Sequence, residues 1–130
     1  HETRPILAAD TCVALDRRLF GKPQTAEEAC AILRSLSART HRVMTAVALL
    51  HHDKLRLKTA VTKVRFRQLT QAEIARYVAS GEAHDKAGAY AIQGLASAFV
   101  AHIEGSYSNV VGLPLFETAA LLKSVGLPVL

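Results

Sequence analysis

Val43-Met44-Thr45-Ala46-Val47-Ala48-Leu49-Leu50, His51-His52-Asp53, and Lys54-Leu55-Arg56-Leu57-Lys58-Thr59-Ala60-Val61 read as two extended segments joined by a polar turn. The first is apolar with β-branched residues, as suits a buried strand. The second alternates: Leu55, Leu57, Thr59 and Val61 share one face, and Lys54, Arg56 and Lys58 point the other way. So short a link cannot hold a helical crossover, so the two segments pair antiparallel. Val64 and Phe66 fall in the opposite phase, which predicts a bulge near residues 62–63.

Upstream, Thr25-x-x-Glu28 forms a capping box that opens a helix to about Ser37, with Ala26, Ala29, Cys30, Leu33 and Leu36 on one stripe. Before it, Pro5-Ile6-Leu7-Ala8-Ala9 reads as a strand ending at Asp10-Thr11, followed by a second apolar run, Cys12-Val13-Ala14-Leu15. Asp16-Arg17-Arg18 turns, and Gly21-Lys22-Pro23 breaks the pattern. Downstream, Thr70-x-x-Glu73 is a second capping box, whose helix stops at Gly81. Residues 82–94 are small, polar and glycine-punctuated, a loop signature. Ala98 to Ile103 returns to strand, Glu104-Gly105-Ser106 turns, and Leu115 to Ser124 is a last helix before Gly126. Together these elements predict one α/β domain over residues 1–130, with a mixed, largely antiparallel central sheet and flanking helices.

Composition narrows the function. Half of the 130 residues are apolar and 21% are charged, enough for a packed core and too apolar for intrinsic disorder. No apolar run reaches the ~18–20 residues of a membrane-spanning helix. Two cysteines are too few for a disulfide scaffold and read as reduced core thiols of a cytoplasmic protein. The net charge of +5, from 16 Lys and Arg against 11 Asp and Glu, favours an anionic partner. With no Trp, three Tyr, four Phe and scattered basic residues, nucleic acid is not the expected one. Residue 1 is His, and a strand-like run begins four residues later, so upstream sequence is expected to be missing.

Two places could carry chemistry. Asp10 stands where the first apolar run ends, and in open α/β sheets ligands gather beyond strand ends; a carboxylate there could bind a metal, take a proton from water, or merely form a turn. The other is the loop Glu82-Ala83-His84-Asp85-Lys86-Ala87-Gly88-Ala89-Tyr90-Ala91-Ile92-Gln93-Gly94, where small residues would let a ligand approach and polar ones offer donors and acceptors. No P-loop, zinc spacing or serine-nucleophile elbow is present.

Ala8-Ala9-Asp10-Thr11, Gly21-Lys22-Pro23, Arg39-Thr40-His41-x-Val43-x-Thr45-x-Val47, Asp85-Lys86-Ala87-Gly88-Ala89-Tyr90-x-Ile92-Gln93-Gly94, Gly105-Ser106-Tyr107 and Val110-Val111-Gly112-Leu113-Pro114-Leu115 occur in this order. In this the chain resembles the Maf family of nucleoside triphosphate pyrophosphatases, departing at Ala91, where relatives commonly have Gly. The family's N-terminal strand and Ser-x-Ser-Pro-Arg-Arg loop are not in the chain, so the resemblance implies weak or no catalysis by these residues alone.

The resemblance implies hydrolysis of a nucleoside triphosphate to monophosphate and pyrophosphate with a divalent metal of the Mg²⁺ or Mn²⁺ type, and a homodimer. Asp10 takes the family's proton-acceptor position and is a candidate metal ligand. Lys22 and Lys86 take phosphate-region positions, and Asp85 would hold Lys86 or the metal. Thr11 and Gln93 match the branch acting on dTTP and UTP; a Glu in place of Gln93 would mark the 7-methyl-GTP branch. An amide offers one donor and one acceptor to N3–H and the adjacent carbonyl of a pyrimidine, whereas a carboxylate only accepts. The alternatives that the resemblance leaves are a non-catalytic nucleotide- or partner-binding protein linked to septum formation, and the 7-methyl-GTP pyrophosphatase branch.

Overall fold

A computed structural model describes residues 4–130. Its elements, in chain order, are β1 (Ile6–Leu15), β2 (Arg18–Phe20), α1 (Ala26–Leu36), β3 (Thr40–His51), β4 (Lys54–Phe66), α2 (Gln71–Ala79), two 3₁₀ turns (Ala87–Ala89 and Leu95–Phe99), β5 (Val100–Glu104), α3 (Tyr107–Val111) and α4 (Leu115–Ser124). The strands form one sheet in the order β2-β1-β3-β4-β5, and every pairing among the described residues is antiparallel.

Local chemistry sets the helix ends as the capping patterns predict. Thr25 accepts the Glu28 N–H (3.1 Å) at the start of α1. At α2 the box is reciprocal: Thr70 accepts from the Glu73 N–H, and Glu73 accepts from the Thr70 N–H. α2 ends before Gly81, whose φ of +83° suits a residue without Cβ. The buried face of α1, Ala29, Ile32, Leu33 and Leu36, joins Val13, Leu15, Val43, Val64, Phe66, Ile74 and Tyr77 in the main core. A smaller cluster of Val47, Leu49 and Leu121 lies under α4.

Two sequence expectations are corrected. Asp10 does not end a strand: β1 runs unbroken from Ile6 to Leu15, and Asp10 pairs with Ala46 in mid-ladder. Polar side chains do not interrupt backbone pairing, so the Asp10-Thr11 step divides the apolar run without dividing the strand. Nor is there a bulge at 62–63. β4 follows β3 from His51↔Lys54 to Thr40↔Arg65 without a slip, and the shift in register lies instead between Arg65 and Phe66, against β5. Val64 and Phe66 are fully buried and fix the pleat. Strict alternation then turns Leu55, Leu57 and Val61 outward, 52–64% exposed, while Ala60 and Thr62 face in.

His41 sits at the centre of this core, 1% exposed, edge-on to Phe66 and Tyr90. Its Nε2 lies 2.7 Å from the Tyr90 hydroxyl, and Nδ1 has no partner among the described residues. Burial pulls its pKa down to about 4. A depressed pKa means that the unfolded chain takes up a proton below its ordinary value near 6.5 that the folded chain refuses until about pH 4. The contribution to stability is therefore complete above pH ~6.5 and is lost as pH falls towards 4, by on the order of 3 kcal/mol. Urea unfolding at pH 7 and pH 4.5 should show this loss, and His41→Gln should flatten it. An unchanged pH dependence in the variant would count against His41 as the source.

Candidate functional site

A cleft of about 190 Å³ opens between β1, the 85–90 segment and the end of α3. Asp10, Thr11, Lys22, Asp85 and Lys86 all line it, with Ala9, Val13, Val43, Ala87, Tyr90 and Val110 to Gly112 completing the walls. Five of the six site residues expected from sequence, drawn from three separate segments, thus meet at one hollow.

The sixth does not. Gln93 is absent from the lining and is exposed on the turn between the two 3₁₀ segments. Its neighbour Ile92 is 4% exposed and anchored in the main core, which leaves the next side chain turned to solvent.

Strand geometry places Asp10 within this frame. Successive side chains alternate across a sheet, and the Thr11 hydroxyl meets Thr45 Oγ1 at 2.9 Å on the inner face. Asp10 therefore alternates to the other face. β2 pairs only with residues 13–15, so β1 is an edge over 6–12 among the described residues. Asp10 joins the cleft at that edge, as its exposed rim, while Thr11 is half-buried in the wall.

The opposite wall is held by glycine and by one carboxylate. The Gly88 N–H donates to the Gly21 carbonyl (3.1 Å), tying the Lys86 segment to the Lys22 segment. Gly88 has φ +75°, and a Cβ there would meet Val13 Cγ2 at 2.6 Å, so only glycine allows the approach. Glu82, which the sequence places in the binding loop, is used structurally. It accepts from the Tyr77 hydroxyl (2.8 Å) and from the N–H groups of Leu95 (3.1 Å) and Ala96 (3.3 Å). Burial pushes its pKa up, but these donors outweigh burial and hold it below the usual carboxylate range. The Tyr77 hydroxyl also accepts the Ala91 N–H (3.0 Å), so both ends of the loop are pinned.

Sequence reasoning placed Tyr90 in the candidate loop without a role of its own, and gave α3 none. Tyr90 reads as one aromatic in a small-residue loop, yet it is 5% exposed and lines the cleft. α3 is a single short helix, capped by Ser106, which accepts the Asn109 N–H (3.2 Å). The Ser-x-x-Asn spacing was its local signal, beside the Gly105-Ser106-Tyr107 and Val110-Val111-Gly112 motifs that carry the resemblance.

Chemically, the cleft offers two lysines and two aspartates, which cancel formally, and a hydroxyl. A larger groove of about 430 Å³ beside α4 is lined by Phe116, Ala119, Ala120, Pro128, Val129 and Leu130, with Lys123 its sole ionisable group. Of these two, the first cleft combines a carboxylate that can take a proton with cations that can hold an anion.

A family model described as Maf-like protein matches residues 1–125. The chain is 57% identical over 125 residues to a dTTP/UTP pyrophosphatase of Bordetella parapertussis, a match covering 96% of this chain and 60% of that protein. It is 56% identical over 125 residues to a dTTP/UTP pyrophosphatase of Nitrosomonas europaea, with the same coverage. To one of Chromobacterium violaceum it is 55% identical over 123 residues, covering 95% of this chain and 62% of that protein. The chain thus spans about 60% of the length of these relatives.

Proposed function

The chain belongs to the Maf-like protein family, and on that footing we propose that the whole protein hydrolyses dTTP and UTP to the monophosphate and pyrophosphate. The observation that carries the reading is the meeting of Asp10, Lys22, Asp85 and Lys86 at one cleft. At about 190 Å³ the cleft is smaller than the ~300–1,000 Å³ that encloses a drug-sized ligand. It suits the phosphate end and sugar of a nucleotide, and in this reading the base lies outside the lining, where the exposed Gln93 would meet it.

In this mechanism Lys22 and Lys86 draw the β- and γ-phosphates to their wall. Asp10, at the open rim, orients a water towards the α-phosphorus and takes its proton as the new P–O bond forms. The bond from the α-phosphorus to the bridging oxygen breaks, and the lysines offset the charge gathering on the departing pyrophosphate.

The lining also fits a divalent cation. Mg²⁺ is commonly held by one or two carboxylates together with substrate phosphates, and Asp10 and Asp85 provide such a pair. Among the described residues no group of three His, Cys, Asp or Glu could hold a metal by itself. A bound cation would polarise the phosphate oxygens and neutralise charge that the formally balanced lining leaves uncompensated. A cytoplasmic setting, in keeping with the free thiols Cys12 and Cys30, and a homodimer belong to the same reading.

Incubating the whole protein with dTTP and Mg²⁺ or Mn²⁺ tests it. The expected products are dTMP and pyrophosphate in equal amounts; dTDP with phosphate, or nucleotide binding without turnover, would contradict it. Base choice has its own test. Gln93→Glu should lower kcat/KM for dTTP and UTP by roughly ten- to hundredfold, because a carboxylate cannot donate to the pyrimidine carbonyl and leaves a polar pair mismatched. Unchanged selectivity would remove Gln93 from base recognition.

A further inference from the structure

Behind Thr11 lies a buried set of polar side chains that the mechanism above does not use. Thr45 and Asn109 are 0% exposed and Thr62 is 1% exposed, all between the sheet and α3. Asn109 Nδ2 donates to Thr45 Oγ1 (2.8 Å), Thr45 Oγ1 donates to the Asn109 carbonyl (3.2 Å), and Thr62 Oγ1 donates to Asn109 Oδ1 (2.7 Å). Thr62 Oγ1 in turn accepts the Ser106 N–H (3.0 Å). The chain ends at the cleft, where Thr45 Oγ1 meets Thr11 Oγ1 at 2.9 Å.

Counting hydrogens orients that last bond. A threonine hydroxyl has one hydrogen and two lone pairs. Thr45 spends its hydrogen on an Asn109 oxygen and one lone pair on the Asn109 amide, so its remaining lone pair must receive the hydrogen of Thr11. Turning the Asn109 amide over does not change this, because an Asn109 oxygen still claims the Thr45 hydrogen. Thr11 is left with lone pairs alone towards the cleft. The wall opposite is open: Gly112, at φ +123°, leaves the space in which even a Cβ would stand 3.8 Å from Thr11 Oγ1.

We infer that Thr45 and Asn109 are positioning residues that lock Thr11 as a hydrogen-bond acceptor, and that Thr11 reads a donor on the sugar of the nucleotide rather than a phosphate. Phosphate oxygens at neutral pH only accept, and an acceptor facing them repels. The donors of a pyrimidine nucleotide are the ring N3–H and the sugar hydroxyls. With the base at Gln93, the donor that reaches Thr11 is the 3′-hydroxyl, which dTTP and UTP share. The inference rests on the nucleotide-site reading, and it divides the cleft into a phosphate wall at Lys22 and Lys86 and a sugar wall at Thr11.

Two measurements test it. Neutron diffraction from crystals of the perdeuterated protein, with no ligand, should place the Thr11 deuterium on the line to Thr45 and the Thr45 deuterium towards Asn109. A Thr11 deuterium directed into the cleft overturns the inference, whatever the protein hydrolyses. In equilibrium binding, the protein should prefer dTTP to its 3′-deoxy analogue by about tenfold. Thr11→Val and Thr45→Val should erase that preference, and Thr45→Ser should restore it. Affinity for inorganic tripolyphosphate should stay within about twofold throughout. Loss of tripolyphosphate binding equal to the loss of dTTP binding in Thr11→Val, or a preference unmoved by Thr11→Val, overturns it.

Discussion

Asp10→Asn should cut pyrophosphate release from dTTP by about 10²–10⁴-fold, the scale of a lost general base, while the thermal midpoint barely moves. The separation of the two effects follows from where Asp10 stands. Its side chain is exposed at the edge of β1, and its backbone pairing with Ala46 does not depend on the carboxylate. Exposed substitutions of this kind usually fall within ~0.5 kcal/mol of neutral. Asparagine keeps the size and one acceptor of the carboxylate but cannot take a proton at neutral pH. Steady-state kinetics beside thermal melting distinguishes the outcomes: a loss smaller than about tenfold with an intact fold would remove Asp10 as proton acceptor.

Gly88→Val should be the most damaging single change to the architecture of the cleft. At φ +75° a side chain is strained by roughly 1–2 kcal/mol, and the added Cβ would meet Val13 Cγ2 at 2.6 Å. Overpacking against a fully buried residue adds ~1–3 kcal/mol, since Val13 is 1% exposed and closed in by the core. Together these predict a loss of about 2–5 kcal/mol, or a thermal midpoint lower by roughly 10–20 °C. Relief of the clash would also strain the Gly88–Gly21 backbone bond that brings the Lys86 and Lys22 segments together, so affinity for tripolyphosphate should fall as well. Gly21→Ala is the matched control, because nothing lies within 4 Å of its Cβ position. Equal effects of the two substitutions would deny Gly88 this role.

Much of this was legible in the residues, and what was not has physical reasons. The Thr70–Glu73 capping box, the Thr25 cap of α1, the antiparallel pair around His51-His52-Asp53 and the span of α4 depend on local chemistry, and the structure follows them, although Glu28 does not complete the box expected at Thr25 among the described residues. β4 misled because its apolar residues change face midway: Leu55, Leu57 and Val61 look like a core stripe, but Phe66 and Val64 set the pleat and leave them outside. The place of Asp10 misled in the same way, since side-chain polarity does not report where a backbone ladder stops. Within the site, Asp10, Thr11, Lys22, Asp85 and Lys86 could be named singly, but their meeting depends on the close approach of Gly88 to Val13 and Gly21, which no local pattern displays. The Thr11–Thr45–Asn109–Thr62 chain joins β1, β3, α3 and β4 over separations of 34 to 64 residues, beyond the reach of motif spacing.

The most direct test of the cleft as the triphosphate site is amide chemical-shift mapping with Mg²⁺ and a dTTP analogue whose α,β-bridging oxygen is replaced by methylene. The shifts are expected at residues 9–13, at Lys22, at 85–88 and at 110–112, around one hollow. Shifts confined to the groove of Phe116, Ala119 and Ala120, or to the basic surface at His51, His52, Lys54 and Arg56, would contradict it.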